Sequence, residues 1–538
     1  MNPFNRFFVF RVNSFSLNLF YFLFLSFAGY WILIYLGTRP GADVPRTIDY
    51  VFTAVSTATD SSMSVIEMEA FSNSQLLFMT FLMFVGGEVF VSVVVLTLKA
   101  FRVRTKSRMA AEEEEKSRAT PTSSPPGDHR HELELSVGKD ERAPSPSSID
   151  DQERILESKS VQFLSFICLC YLIVIHIFGV ALLSAYVTLS PSASRVLEEK
   201  GIKRFTFALF TAVSTFGSCG FIPTNENMIV FRHNTVMQLI LIPQVLMGNT
   251  MFPPCLRLCV WLAGKLWKAK SDCTEYLLRN SKRIGFYHLL PGRESVWLTG
   301  TVVIFLAVQF ALFLGTDWWS EGLIGLNTVE KLVGALFLTV NARHSGETIV
   351  DLNTISAASL VVFVVMMYLP PYTFFLPMKA GREVAKTNNQ GESVKYMIQD
   401  GHNDNTTGEI TRPRIKGGVH HGHNNNKFIE NFIVSQLSFL SIFIILICIT
   451  ERQSIVKDPL NYNVFNIIFE VISAYGNVGF SMGYGCKRQI NPSGDCQDKY
   501  YGFSGKWSDE GKIVLILVML FGRLKKFNMD GGKAWILL

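Results

Sequence analysis

Phe52-Thr-Ala-Val-Ser-Thr57 and Phe210-Thr-Ala-Val-Ser-Thr215 are the same hexapeptide in two distant parts of one chain. Internal repetition is the first thing to seek in a sequence, because it sets the architecture before any single motif does. Each copy lies in a gap between two apolar runs. The same place in the remaining gaps holds two weaker copies, Phe337-Leu-Thr-Val-Asn-Ala342 and Phe469-Glu-Val-Ile-Ser-Ala474. The chain therefore reads as four units of apolar run, short re-entrant segment, apolar run.

The runs are Leu17–Leu36, Leu76–Leu98, Val161–Leu189, Val236–Leu262, Val296–Leu314, Ala357–Leu376 and Phe428–Ile449, with a weaker eighth beginning at Ile513–Phe521. About 20 helical residues cross a hydrocarbon core. With 44 Phe and only 17% charged residues, the 538-residue chain is far more apolar than a soluble enzyme. The expected fold is all-α and integral to a membrane: eight transmembrane helices as four membrane–pore–membrane repeats around one central pore. Leu17–Leu36 reads as a retained span, since it starts late and no small-residue cleavage site follows.

The expected organisation is residues 1–101 for the N-terminus and first repeat, 102–160 for a disordered linker, and 161–264 for the second repeat. A connector, 265–295, leads to the third repeat, 296–378. A second disordered linker, 379–427, precedes the fourth repeat and C-terminus, 428–538. Glu112–Glu115 and Pro144–Ser148 mark the first linker, and the second is rich in Asn, Gly and His. Basic residues cluster before the first run (Arg6, Arg11), after the second (Arg102, Arg104, Lys106, Arg108), and between the fourth and fifth (Lys265, Lys268, Lys270, Lys282, Arg283, Arg293). Arg412, Arg414, Lys416 and Lys427 precede the seventh. By the positive-inside rule all these and both termini are cytoplasmic. The net charge of +6 is explained by topology, and no nucleic-acid partner is expected.

After each hexapeptide copy comes a small residue. Ser62, Gly220 and Gly479 stand ten residues past the opening Phe, and Gly346 nine past. Irregular backbone at membrane depth is tolerated only where it is buried in protein or lines a wet cavity. Glycine, lacking Cβ, lets carbonyls turn inward and approach an ion, and rings of carbonyls replace a hydration shell. One small residue would serve helix packing. Four at nearly matched offsets point to an ion selectivity filter.

These loops resemble the plant high-affinity potassium transporter (HKT) family, relatives of bacterial and fungal Trk and Ktr transporters. The resemblance is carried by Ser61–Ser64, Val65–Glu69, Gly86–Val89, Cys219–Met228, Ile242–Thr250, Arg343–Thr348, Tyr368–Tyr372 and Ala474–Phe480. It implies one filter residue per repeat, and Ser with three Gly resembles the Na⁺-selective subgroup. Four Gly would go with combined K⁺ and Na⁺ transport. Asn225 supports Na⁺, because an Asp there resembles members favouring K⁺. The implied function is a passive Na⁺ transporter of the plasma membrane contributing to salt tolerance. A K⁺/Na⁺ cotransporter or mixed conductor is the alternative.

Asp60 departs from the family's apolar residue at that place; it either draws cations toward the pore or caps local amides. Arg523, at membrane depth in the last run, is a functional candidate by default. By resemblance it would constrict or gate the pore below the filter, while Lys525 and Lys526 read as snorkelling. Glu88 calls for a cation or backbone donors as partner.

No Walker loop or voltage-sensor pattern occurs. His420-His-Gly-His423, which could hold a metal, and the Asn405 glycosylation sequon both sit in the second linker. The chain is expected to be no enzyme, with no cofactor and no structural metal site. Na⁺, or K⁺, is its transported ion, the bilayer surrounds it, and a homodimer of independent pores is expected. Cys486 and Cys496 flank an outside loop, where a disulfide and two free thiols are both open.

Overall fold

A computed structural model describes residues 14–119, 146–373, 436–490, 496 and 498–528. Among them secondary structure is helical, with no strand. The principal helices are α1 Ser14–Leu36, α2 Thr47–Ala58, α3 Asn73–Gly86, α4 Glu88–Ala119, α5 Pro146–Leu189, α6 Arg204–Gly217, α7 Thr235–Gly248 and α8 Phe252–Leu266. There follow α9 Ser271–Arg279, α10 Gly292–Asp317, α11 Thr328–Asn341, α12 Ala357–Tyr368, α13 Gln436–Thr450, α14 Val464–Gly476 and α15 Asp509–Asn528.

The four hexapeptide copies fall in the short helices α2, α6, α11 and α14. Local chemistry starts two of them. Asn327 and Glu330 form a reciprocal capping box at α11, and the Asn463 side chain accepts from the Asn466 amide at α14. Their packing runs in sequence order. α2 packs against α1, α3 and α15; α6 against α5, α7 and α3; α11 against α10 and α7; α14 against α15 and α12. Each short helix thus touches a helix of the preceding unit, and the first touches the last.

Among the described residues, three helices are long and apolar enough to cross a membrane: Ser16–Leu36, Glu153–Leu189 and Gly292–Asp317. Two expected spans are broken instead of continuous. Leu76–Leu98 splits at Gly87 with a 53° bend, and Val236–Leu262 splits at residues 249–251 with an 83° bend. Counting each bent pair as one span gives five; α12, α13 and α14 are shorter apolar helices.

The polarity of the described surface is that of a membrane protein. Phe20, Phe24 and Phe27 on α1, Ile173, Ile177 and Phe178 on α5, and Val303 and Ile304 on α10 all face outward. Thr53, Ser56, Thr57, Thr215, Asn341, Ser473 and Arg523 are buried. Soluble proteins bury the first kind and expose the second.

The stretch expected as a disordered first linker is helical at both ends, through Ala119 and from Pro146. Ala, Glu, Lys and Arg after Arg104 are strong helix formers, which carries α4 on from the apolar run. The second linker, with Asn405 and His420–His423, lies outside the described residues. Cys486 and Cys496 are joined in a disulfide.

Candidate functional site

The four short helices end alike. Ser56, Ser214, Asn341 and Ser473, each four residues past the opening Phe, accept at their carbonyls from the amides of Ser61, Cys219, Gly346 and Val478. That bond folds the chain back and delivers Ser62, Gly220, Gly346 and Gly479 to equivalent places. All four have positive φ: 53°, 85°, 66° and 97°. For Gly this is free; for Ser62 it costs about 1–2 kcal/mol. We call the segments carrying these residues loops 1 to 4.

The loops meet in a closed order. A Cβ on Gly220 would strike the Ser345 carbonyl oxygen, and one on Gly346 the Val478 carbonyl oxygen. On Gly479 it would strike the Ser62 side chain and lie 3.1 Å from the Ser61 carbonyl oxygen. Loop 1 is bonded to loop 2 through Glu69 and Asn225. Loop 2 meets loop 3, loop 3 meets loop 4, loop 4 meets loop 1, and loop 1 meets loop 2. Ser62 brings the one Cβ among the four. An open cavity of ≈ 610 Å³ is lined by Ser62, Gly346 and Gly479 together with Thr224, Asn225 and Thr348.

Asn225 is bound at this cavity. Its side-chain oxygen accepts from the Glu69 amide at 2.9 Å, and its own amide donates to Glu69 Oε1 at 3.0 Å. Lys200 bridges Glu69 and Glu226, at 2.6 Å to each. Burial works against the Lys200 charge, but the two carboxylates outweigh it and hold its pKa above the usual lysine value. Loops 1 and 2 are thereby tied together outside the ring.

Two residues before Ser62, Gly220, Gly346 and Gly479 stands a polar side chain: Asp60, Ser218, His344 and Asn477. Asp60, Ser218 and Asn477 have positive φ; His344 does not. Ser218 accepts from Asn249 at 3.1 Å, and His344 Nε2 meets Thr250 at 2.9 Å. Asn477 donates to Ser61 Oγ at 2.7 Å. Asn249 and Thr250 thus reach loops 2 and 3 from the break between α7 and α8. Gly248 and Gly86 at the breaks are seated against the carbonyls of Phe216 and Ala58, where a Cβ would collide.

Asp60 has an occupation that neither sequence expectation named. Its Oδ2 accepts from Arg523 at 2.9 Å, with both residues buried. Arg523 also donates to the Gly86 carbonyl and lies over the Phe22 ring at 5.7 Å. Lys525 sits over Tyr475, 4.6 Å from its ring centre. Glu88, expected beside a cation or backbone donors, has the Tyr372 hydroxyl at 3.5 Å; that hydroxyl meets His288 Nδ1 at 2.9 Å, and His288 Nε2 meets Ser92. These partners come from 463 and 284 residues away, beyond any local signal. No cluster of three or more His, Cys, Asp or Glu able to hold a metal occurs among the described residues.

The TrkH family model, described as a cation transport protein, matches residues 146–529. The chain is 43% identical over 532 residues to the cation transporter HKT1;3 of Oryza sativa subsp. japonica, covering 98% of this chain and 92% of that one. It is 44% identical over 496 residues to the sodium transporter HKT1 of Arabidopsis thaliana, covering 92% and 89%. The potassium transporter TRK1 of Candida albicans is 26% identical over 372 residues, covering 68% and 32%. Among solved structures, the potassium transporter TrkH from Vibrio parahaemolyticus aligns with a TM-score of 0.47 at 14% identity, over 97% of this chain and 85% of that one.

Proposed function

From the premise that the chain belongs to the TrkH cation-transport family and is a cation transporter of the HKT type, we propose that it passes Na⁺ selectively through the ring formed by loops 1 to 4. The observation that carries this reading is the closed order of contacts among the loops that carry Ser62, Gly220, Gly346 and Gly479, with Ser62 alone of the four bringing a side chain. Carbonyls of four such loops replace the water of a dehydrating cation. The Ser62 Cβ fills space against Gly479 and narrows one quarter of the ring, which favours the smaller ion. The name sodium transporter of the Arabidopsis relative agrees with this.

On this reading eight spans in four repeats surround the pore, with the broken helices counted as spans two and four. The domain boundaries are those expected from sequence, except that α4 and α5 extend into the first linker, to Ala119 and from Pro146. Asp60 neutralises Arg523 beside the pathway, and Arg523 sets a constriction below the filter. Asn225, held by Glu69, shapes the mouth. Transport is passive, driven by gradient and membrane potential without covalent chemistry. The protein sits in the plasma membrane with both termini cytoplasmic, contributes to Na⁺ homeostasis and salt tolerance, and pairs as a homodimer of independent pores within the bilayer.

Ser62→Gly tests the assignment. Removing the one Cβ is expected to raise K⁺ permeation while Na⁺ current persists. Unchanged K⁺ permeation would remove Ser62 from the filter.

A further inference from the structure

The residue following the filter position is Met63, Phe221 and Phe480 in loops 1, 2 and 4, each a large apolar side chain buried as an anchor. In loop 3 it is Glu347, which is equally buried. Its Oε1 accepts from the Thr215 hydroxyl at 2.6 Å, and Oε2 has no hydrogen-bond partner among the described residues. Arg343, four residues earlier, makes no hydrogen bond to Glu347, and its own Nε and Nη1 have no hydrogen-bond partner among the described residues. Arg343 donates to the Pro370 carbonyl at 2.6 Å, and His344 lies between Thr250 and the Val340 carbonyl. Burying a carboxyl for one hydrogen bond is expensive, and the three sibling loops show that an apolar anchor fits this place.

Loop 3 is also the loop built differently. It is one residue shorter, and it lacks the left-handed residue that loops 1, 2 and 4 place two before the filter position. Thr215 is the fifth residue past the opening Phe in α6, on the helix that delivers loop 2. The Glu347–Thr215 bond therefore ties the loop with the missing turn to the end of the preceding unit's helix, next to where Gly220 meets Ser345.

We propose that Glu347 and Thr215 form a strut that positions loop 3 in the ring and so sets how well the ring discriminates Na⁺ from K⁺. Glu347 is a positioning residue: it acts through the placement of the Gly346 backbone. The inference rests on the reading of the ring as the filter.

The test is the ratio of K⁺ to Na⁺ permeability, from reversal potentials of whole cells expressing the full chain, with surface abundance measured alongside. Thr215→Val keeps the shape and loses the donor, and Glu347→Met installs the sibling anchor. Each is expected to raise the ratio about fivefold, the scale of one hydrogen bond, and the double variant no further. Thr215→Ser and Glu347→Gln, which keep donor and acceptor, are expected to retain the wild-type ratio. A wild-type ratio in Thr215→Val at normal surface abundance would overturn the strut while leaving the filter reading intact. So would a Glu347→Gln ratio as altered as that of Glu347→Met. A wild type without Na⁺ preference would overturn the filter reading itself.

Discussion

Ser62 stores backbone strain that its three counterparts avoid, because φ of 53° is a glycine conformation carried by a residue with a Cβ. Ser62→Gly should therefore change selectivity without a stability penalty, with a thermal midpoint in detergent at or above wild type. A loss of stability would mean that the hydroxyl, not the backbone, is what the site needs. Gly220→Ala is predicted to do the opposite. Its Cβ would enter the Ser345 carbonyl at a φ of 85°, so cation current should fall to background even in protein that reaches the surface. The shared geometry of these four positions was legible because two identical and two weaker copies of a hexapeptide recur, at offsets of ten residues or, in loop 3, nine. The partners of Asp60 and Glu88 were not, since a sequence can show that a buried charge needs company without saying from which distant helix it comes.

At the scale of elements, two interruptions matter most. The run Val236–Leu262 is apolar enough to read as one span, yet it breaks at Asn249 and Thr250 because those side chains serve loops 2 and 3. The signal was present in Gly248-Asn-Thr250 followed by Pro253-Pro254, a polar step and two helix breakers inside an apolar run. The last helix, α15, was read as the weak span because its apolar run Ile513–Phe521 is short, and Arg523, among the polar residues that follow, joins it to loop 1 through Asp60. Asp60→Asn leaves a buried guanidinium without its counter-charge, which typically costs about 3–5 kcal/mol. Surface abundance and thermal stability should drop sharply, and Asp60→Met with Arg523→Met should recover much of the loss. If Asp60→Asn is as stable as wild type, the pair contributes nothing to holding α15 against loop 1.

At the scale of the molecule, α2, α6, α11 and α14 pack against α15, α3, α7 and α12 respectively, so that the contacts run in a closed order within one chain. Lys200, bridging Glu69 and Glu226, fastens loops 1 and 2 beside the cavity mouth where Asn225 sits. Lys200→Met should leave two carboxylates unbridged there and raise the sensitivity of Na⁺ current to external divalent cations, read as a lower concentration of Ca²⁺ for half block. Equal block in both proteins would place these charges outside the ion's path.

The most direct measurement is the reversal potential of currents in cells expressing the protein, with external Na⁺ exchanged for K⁺ at constant ionic strength. A Na⁺-selective ring predicts a large shift as Na⁺ is varied and almost none as K⁺ is varied. Comparable shifts with both ions would contradict it.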